Sequence, residues 1–223
     1  MLSVLQQTYS NIEYIIVDGA SQDKTLQCVE KVKNLFPHRA IRVISGHDKG
    51  IYDAMNKGIG VATGEWINMM NAGDTFSSPD ILQKIADSGL MGRYSFVYSD
   101  FVAKNGMKKK RIVQSYDSGK ILHQSSIYKR DLHEKYGLYY VTHPYIVSDY
   151  LFFLQVPKDE FAKFNEPISV NDVSGISMQG YWMEYGRISA DYMMRRTSEG
   201  TFVRSVIVRY WKNRIKELLR HLL

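Results

Sequence analysis

Cysteine is nearly missing from this chain: Cys28 stands alone among 223 residues. One thiol excludes an internal disulfide framework and any multi-cysteine zinc site, and it fits a reducing compartment. The six histidines fall at no metal-ligand spacing, which excludes an independent zinc site. No apolar run approaches the ~18 residues that span a bilayer, and no basic-then-apolar signal pattern opens the chain. These absences predict an intracellular, cytoplasmic protein. Zinc-finger spacing, an aromatic–basic RNA-binding motif and a helix-turn-helix pattern are missing too, so nucleic-acid binding has only charge in its favour. There is no internal repeat and no low-complexity segment.

What is present is a globular composition, 44% apolar and 23% charged, as is usual for a folded domain. The length suits one sizeable domain, or one domain with an appended element. A net charge of +6 favours a partner of opposite sign: nucleic acid, an anionic membrane or a phosphorylated substrate. Much of the excess sits in Lys108-Lys-Lys-Arg111 and in the tail from Arg204 onward.

The first residues, Met1 to Tyr9, read as the end of an amphipathic helix. Ile12 to Val17 is a β-branched, aromatic run stopped by Asp18-Gly19, which predicts a buried strand. Ser21 to Asp23 offer caps for a helix through about Leu35, ended by Pro37. Ile41 to Ile44 is a second short strand. The glycine-punctuated stretch Gly46 to Gly58 reads as a loop and a short helix. Trp66-Ile-Asn-Met-Met-Asn-Ala-Gly-Asp74 reads as a strand ending on a carboxylate. This alternation predicts a mainly parallel sheet with crossover helices. Ligands in such folds collect beyond the carboxyl ends of the strands, where Asp18, Asp48 and Asp74 all fall. One aspartate after a strand is an ordinary turn residue; three in succession point to a shared site for a phosphorylated, metal-bound ligand.

Pro79 to Ala86 opens another helix. Phe96 to Ala103 is read as one strand carrying Asp100, and Asn105-Gly106 as a hairpin turn into a return strand, Lys108 to Val113. Lysines exposed on an edge protect it from aggregation. A helix is expected around Asp131 to Tyr136. Another, Ser148 to Gln155, is expected to be deeply buried, capped by its serine and stopped before Pro157. Ile168 to Val173 is a further strand, leading into a polar loop, Val173 to Gly180, able to close over a ligand. The rest is helical, with Val203, Ile207, Tyr210, Trp211, Ile215 and Leu218 at helical spacing and basic residues mostly opposite them. Such a helix lies on an anionic membrane, or packs its stripe on the domain or on a second subunit.

With these segments in order, the chain resembles the family 2 inverting glycosyltransferases of the GT-A nucleotide-sugar fold. The likeness is closest to bacterial members that build capsule, exopolysaccharide or O-antigen. It rests on Gln7 to Thr25, Asp48 to Gly58, Ala62 to Asp74, His123-Gln124 and Ser148-Asp149-Tyr150. The resemblance implies a Rossmann-like α/β domain over residues 1–180, with 181–223 as a basic helical extension. It also implies a first strand lying before Met1, so that the start reads as incomplete.

The resemblance further implies roles. Asp18 matches the aspartate that accepts from the nucleotide base, and Asp48, Asn56 and Gly73 match positions along the nucleotide-sugar. Asp74 matches the region of the Asp-x-Asp motif that holds Mg²⁺ or Mn²⁺ against the diphosphate; Asn71 and Gly73 stand where the usual pattern has its two aspartates. Hard oxygen ligands suit those ions. Asp149 matches the general base of a single, inverting displacement. His123 with Gln124 is read as an acceptor- or diphosphate-side contact, or as a buried structural histidine.

The leading function is transfer of a sugar from a nucleoside diphosphate, uridine diphosphate foremost, to a growing lipid-linked oligosaccharide at the inner face of the cytoplasmic membrane. A second reading is a catalytically impaired remnant that binds glycan or serves as a partner subunit. A third is a basic membrane- or nucleic-acid-binding module whose carboxylates are structural.

Overall fold

The computed structural model describes residues 1–142, 146–172 and 182–222. A short helix α1 (Leu2–Leu5) leads to β1 (Glu13–Asp18), α2 (Thr25–Leu35) and β2 (Ala40–Ser45). The parallel β1·β2 pair runs in register from Glu13↔Ala40 to Asp18↔Ser45. The glycine-punctuated stretch folds as expected into a loop and then α3 (Ile51–Val61).

The next segment departs from expectation. In place of one strand ending on Asp74 there are β3 (Trp66–Ile67) and β4 (Thr75–Phe76), joined by a turn. The ladder stops because the Asn68 side chain donates to the carbonyls of Gln124 and Ser126 at 3.1 and 2.8 Å. That amide holds the chain to the neighbouring strand without a ladder, so residues 68–74 can turn. After α4 (Ile81–Asp87) the run Phe96 to Ala103 is likewise divided, into β5 (Phe96–Ser99) and β6 (Phe101–Asn105). The break falls at Asp100, whose buried carboxylate is gripped by Arg111, Lys163 and the Gln114 N–H.

The expected hairpin forms: β6 pairs antiparallel with β7 (Lys108–Ile112), with Asn105 opposite Lys108 and Gly106 at φ +57°. The lysines of β7 are exposed at a sheet edge. Then come β8 (Ser126–Lys129), α5 (Leu132–Tyr136), α6 (Ser148–Gln155), β9 (Phe161–Phe164), β10 (Ser169–Asp172), α7 (Trp182–Met193) and α8 (Glu199–Leu222). Ser148 does not cap α6. Val147 is the N-cap residue, and the Ser148 hydroxyl is buried in the first turn without a partner among the described residues. The loop expected to close over a ligand, 173–180, lies outside the described residues.

The architecture is α/β with mixed pairing. β1·β2, β5·β9 and β6·β10 run parallel; β3·β8, β5·β8, β4·β10 and β6·β7 run antiparallel. The parallel β1·β2 pair opens the chain, with α2 as its crossover. β6 and β7 are joined by a tight hairpin and so run antiparallel, while β5·β9 and β6·β10 pair parallel across long connections.

The sheet β3-β8-β5-β9 is covered on both faces. Phe96, Tyr98 and Tyr128 join Tyr52, Met55 and Ile59 of α3 with Phe152 and Phe153 of α6. Val97 and Ile127, one residue along, join Val4, Ile81 and Ile85 on the other side. Side chains alternate across a strand, so neighbouring residues serve opposite layers. α3 and α6, both on the first layer, bring Tyr52 and Asp149 together.

Candidate active site

At the carboxyl end of the parallel pair, Asp18 is buried. Its Oδ2 accepts from the Ser45 hydroxyl at 2.7 Å and from the Ser21 N–H at 3.1 Å. Ser21 and Ser45 hold the carboxyl below the usual range, outweighing its burial. A Cβ at Gly19 would lie 2.7 Å from Asp48 Oδ2, so the Asp48 carboxylate comes up against the residue that follows Asp18. Asp48 Oδ1 accepts from the Gly50 N–H at 2.9 Å, and Gly50, at φ +117°, swings the chain into α3.

The second centre is the turn between β3 and β4. Gly73 takes φ +92° with open space beside its Cα. Asp74 follows, its Oδ2 accepting from Gln124 Nε2 at 2.9 Å and its Oδ1 from the Asp172 N–H at 2.9 Å. Burial pushes this carboxyl up, and the two hydrogen bonds only partly offset it. Gln124 Oε1 is buried with no partner among the described residues. A half-buried carboxylate beside an unsatisfied amide oxygen is a hard-oxygen donor set that fits Mg²⁺ or Mn²⁺. Among the described residues no group of three or more His, Cys, Asp or Glu side chains is placed to hold a metal. Among the described residues the side-chain donors at this centre are Asp74 and Gln124.

The third centre is Asp149 in the first turn of α6. Its Oδ1 accepts from the Tyr52 hydroxyl at 2.8 Å and from the Tyr150 N–H at 2.9 Å; its Oδ2 faces His123 Nδ1 at 2.8 Å. Burial alone would raise its pKa, but His123, Tyr52 and the Tyr150 N–H together hold it below the usual carboxylate range. Tyr52 is pushed far up, by burial first and then by the Asp149 charge, and so remains a proton donor to the carboxylate. The side chain of Asp149 keeps 14% exposure. A carboxylate offers about four lone-pair positions, and three are filled here. The remaining one is on Oδ2. His123 Nε2 is buried without a partner among the described residues.

His123 and Gln124 are consecutive, in a single 3₁₀ turn leading into β8. One holds Asp149 and the other holds Asp74, so this turn couples two of the three centres. Asp18 bonds to Ser45 at the end of β2 and to Ser21 just after β1, and Asp48 to Gly50 before α3, apart from that turn. Asn56 is placed differently: its amide donates to the Tyr139 carbonyl at 2.8 Å and accepts from the Tyr139 N–H at 3.0 Å, clamping that loop to α3. Tyr52, which donates to Asp149, was not singled out by the sequence reading. The signal was available, because Tyr52 and Asn56 are four apart in the glycine-punctuated stretch and share one face of α3.

Comparison with known proteins bears on the whole arrangement. The family profile described as Glycosyl transferase family 2 matches residues 1–147. A "PGL/p-HBAD biosynthesis glycosyltransferase" of Mycobacterium bovis (strain BCG / Pasteur 1173P2) is 30% identical over 149 residues, covering 64% of this chain and 55% of that protein. The chain spans about half the length of the curated relatives it matches. S. aureus TarS in complex with UDP-GlcNAc superposes with a TM-score of 0.70 at 15% identity, over 95% of this chain and 67% of that one. The mannosyltransferase PcManGT from Pyrobaculum calidifontis, in complex with GDP-Man and Mn²⁺, gives 0.67 at 16% identity, over 88% and 59%. At such identities the superpositions speak for the fold, that of the GT-A glycosyltransferases, and the profile, which takes in Asp18, Asp48, Asp74 and His123, speaks for descent: the chain belongs to glycosyl transferase family 2.

Proposed function

We propose that the chain transfers a sugar, with inversion, from a nucleoside diphosphate to a growing, lipid-linked bacterial polysaccharide of the capsule, exopolysaccharide or O-antigen kind. Uridine diphosphate is the first donor carrier to test, supported by the TarS complex with UDP-GlcNAc. The observation that carries the reading is Asp149: a carboxylate held ionised by three donors, with one lone-pair position open and a small exposed area. On this reading Asp149 Oδ2 takes the proton of the acceptor hydroxyl as that oxygen attacks the anomeric carbon. The new C–O bond forms as the bond to the diphosphate breaks on the opposite face, and the nucleoside diphosphate leaves.

Tyr52 and His123 fix the carboxylate's orientation, and Asp18 accepts from the nucleotide base. Asp48 and the open turn at Gly73 border the nucleotide-sugar, with Asn56 acting through its clamp on the Tyr139 loop. Asp74, with Gln124 Oε1, would hold Mg²⁺ or Mn²⁺; such an ion, when bound, neutralises charge on the leaving diphosphate. A lipid-linked acceptor would bring the protein to the cytoplasmic face of a membrane, with residues 203–223 as the peripheral contact.

Donor turnover and calorimetric donor binding test this together. Asp149→Asn should lower turnover about 10²–10⁴-fold, the usual worth of a positioned base, while donor binding persists. Asp74→Ala should weaken donor binding and abolish its dependence on Mn²⁺. Unchanged turnover in Asp149→Asn would refute the base assignment. Donor or glycan binding by a wild-type protein without turnover would leave a binding or partner subunit instead.

A further inference from the structure

The last helix, α8, faces the wrong way for an ordinary surface helix. Val203, Ile207, Trp211, Ile215 and Leu218 recur every three or four residues, so they form one stripe. These five side chains are 46%, 51%, 61%, 53% and 60% exposed. The side turned to the protein is mixed and polar. Asn213 is 4% exposed, Arg209 pairs with Glu184 of α7 at 2.9 Å, and Phe202 stacks on Tyr192 at 4.6 Å. α8 is thus fastened to α7 by its polar edge, while its apolar stripe is presented outward.

The charge on the same helix selects the occupant. Residues 199–222 hold six Lys and Arg against two Glu. Arg204, Lys212, Arg214 and Lys216 are all exposed; Lys212 and Lys216 flank the stripe, while Arg204 and Arg214 rise from within its arc, where long side chains reach outward to phosphate. A second copy would cover the stripe but would bring like charges together along its length, which opposes pairing. Nucleic acid would answer the charge and leave tryptophan, isoleucine and leucine in water. An anionic bilayer answers both. Its phosphates meet the basic side chains and its upper acyl region takes the stripe, with tryptophan suited to the boundary. At 24 residues the helix gives a contact about 36 Å long.

We propose that α8 is a membrane-surface helix, lying flat in the headgroup region of an anionic bilayer with the Val203–Leu218 stripe inserted. The proposal deepens the membrane part of the functional reading, yet it rests on the placement of α8 and stands if the chemistry of the site proves otherwise. Among the described residues no helix is long and apolar enough to cross a membrane, so binding through α8 is peripheral and reversible.

Co-sedimentation of the full chain with vesicles tests it. Equimolar phosphatidylglycerol and phosphatidylcholine should carry the protein down, and phosphatidylcholine alone should not. The double variant Ile207→Asp/Trp211→Asp should lower partitioning by at least about tenfold. Arg204→Gln and Lys212→Gln should each lower it about fivefold and reduce its salt sensitivity. Circular dichroism and calorimetric donor binding should be unchanged in all of these, which separates failure of this proposal from failure of the donor site. Equal sedimentation of wild type and stripe variant overturns it, as does equal sedimentation with neutral vesicles. A dimer by light scattering that Ile207→Asp dissociates, with no vesicle binding, overturns it in favour of a second copy. Should the double variant misfold, the two surface charge variants still decide.

Discussion

Asp149 shows how three ordinary hydrogen bonds set the chemistry of one side chain. Burial disfavours the charge, but His123, Tyr52 and the Tyr150 N–H favour it more strongly, so the carboxyl ionises below the usual carboxylate range. On the proposed reading Asp149 is the base, and a base must be deprotonated to act. The sign follows: kcat/KM should stay level as pH falls through the ordinary carboxylate range, about 4, and drop only as pH passes below it. Tyr52→Phe removes one of the groups that lower this pKa, so the acid limb should move to higher pH. A pH–rate profile of both proteins checks this. The loss of one charge-assisted hydrogen bond should lower kcat at neutral pH by roughly tenfold. A merely structural Tyr52 would change stability and leave the limb in place.

At the scale of elements, the position of α6 is set from behind by α7. The Tyr150 hydroxyl donates to Asp191 Oδ1 at 2.6 Å and the Arg187 guanidinium lies 4.7 Å from the Tyr150 ring centre. Burial, followed by the hydrogen bond to Asp191 and then its charge, pushes that hydroxyl up to about 12, so it remains a donor throughout the physiological range. On the other side of Tyr150 sits Gly119, at φ +60°, where any Cβ would collide with the phenol ring. Gly119→Ala should therefore destabilise by about 2–3 kcal/mol, combining left-handed strain with a displaced hydrogen bond. Asp191→Asn should cost only about 1 kcal/mol. Urea melts of the two variants check the order, and kcat should fall with the first more than with the second because Tyr150 is the neighbour of Asp149. The bounds of α6 were legible in the sequence, since an apolar run stopped by a proline needs no tertiary information. Its cap was not. Ser148 has the right residue type, but packing buries its hydroxyl and leaves Val147 as the cap residue. The same limit hid the bonds of Asn56: they go to Tyr139, 83 residues away, and no local pattern announces that pairing.

For the whole molecule, Asp100 is the point where local reading failed and long-range electrostatics decided. The run Phe96 to Ala103 has the composition of one strand, and its division could not be read from it. The cause lies at Arg111, Gln114 and Lys163, which converge on a carboxylate only 5% exposed. β5 belongs to the sheet with β9, which carries Lys163; β6 belongs to the sheet with β7, which carries Arg111. The Asp100 pairs therefore join the two four-stranded sheets across the break. Burial opposes the charge, but Lys163, the Gln114 N–H and Arg111 together hold the carboxyl below its usual value. A depressed folded-state pKa contributes stability that is fully present above the unfolded value, about 3.9, and is lost as pH falls through the folded one. Asp100→Asn should thus be less stable than wild type at pH 7, by about 1–2 kcal/mol, since Arg111 and Lys163 retain water contact. Below about pH 4 the difference should shrink, because wild type then loses the same charge. Chemical denaturation at neutral and acid pH measures both values, and a gap that stays constant across that range would mean that Asp100 joins the sheets by shape rather than by charge.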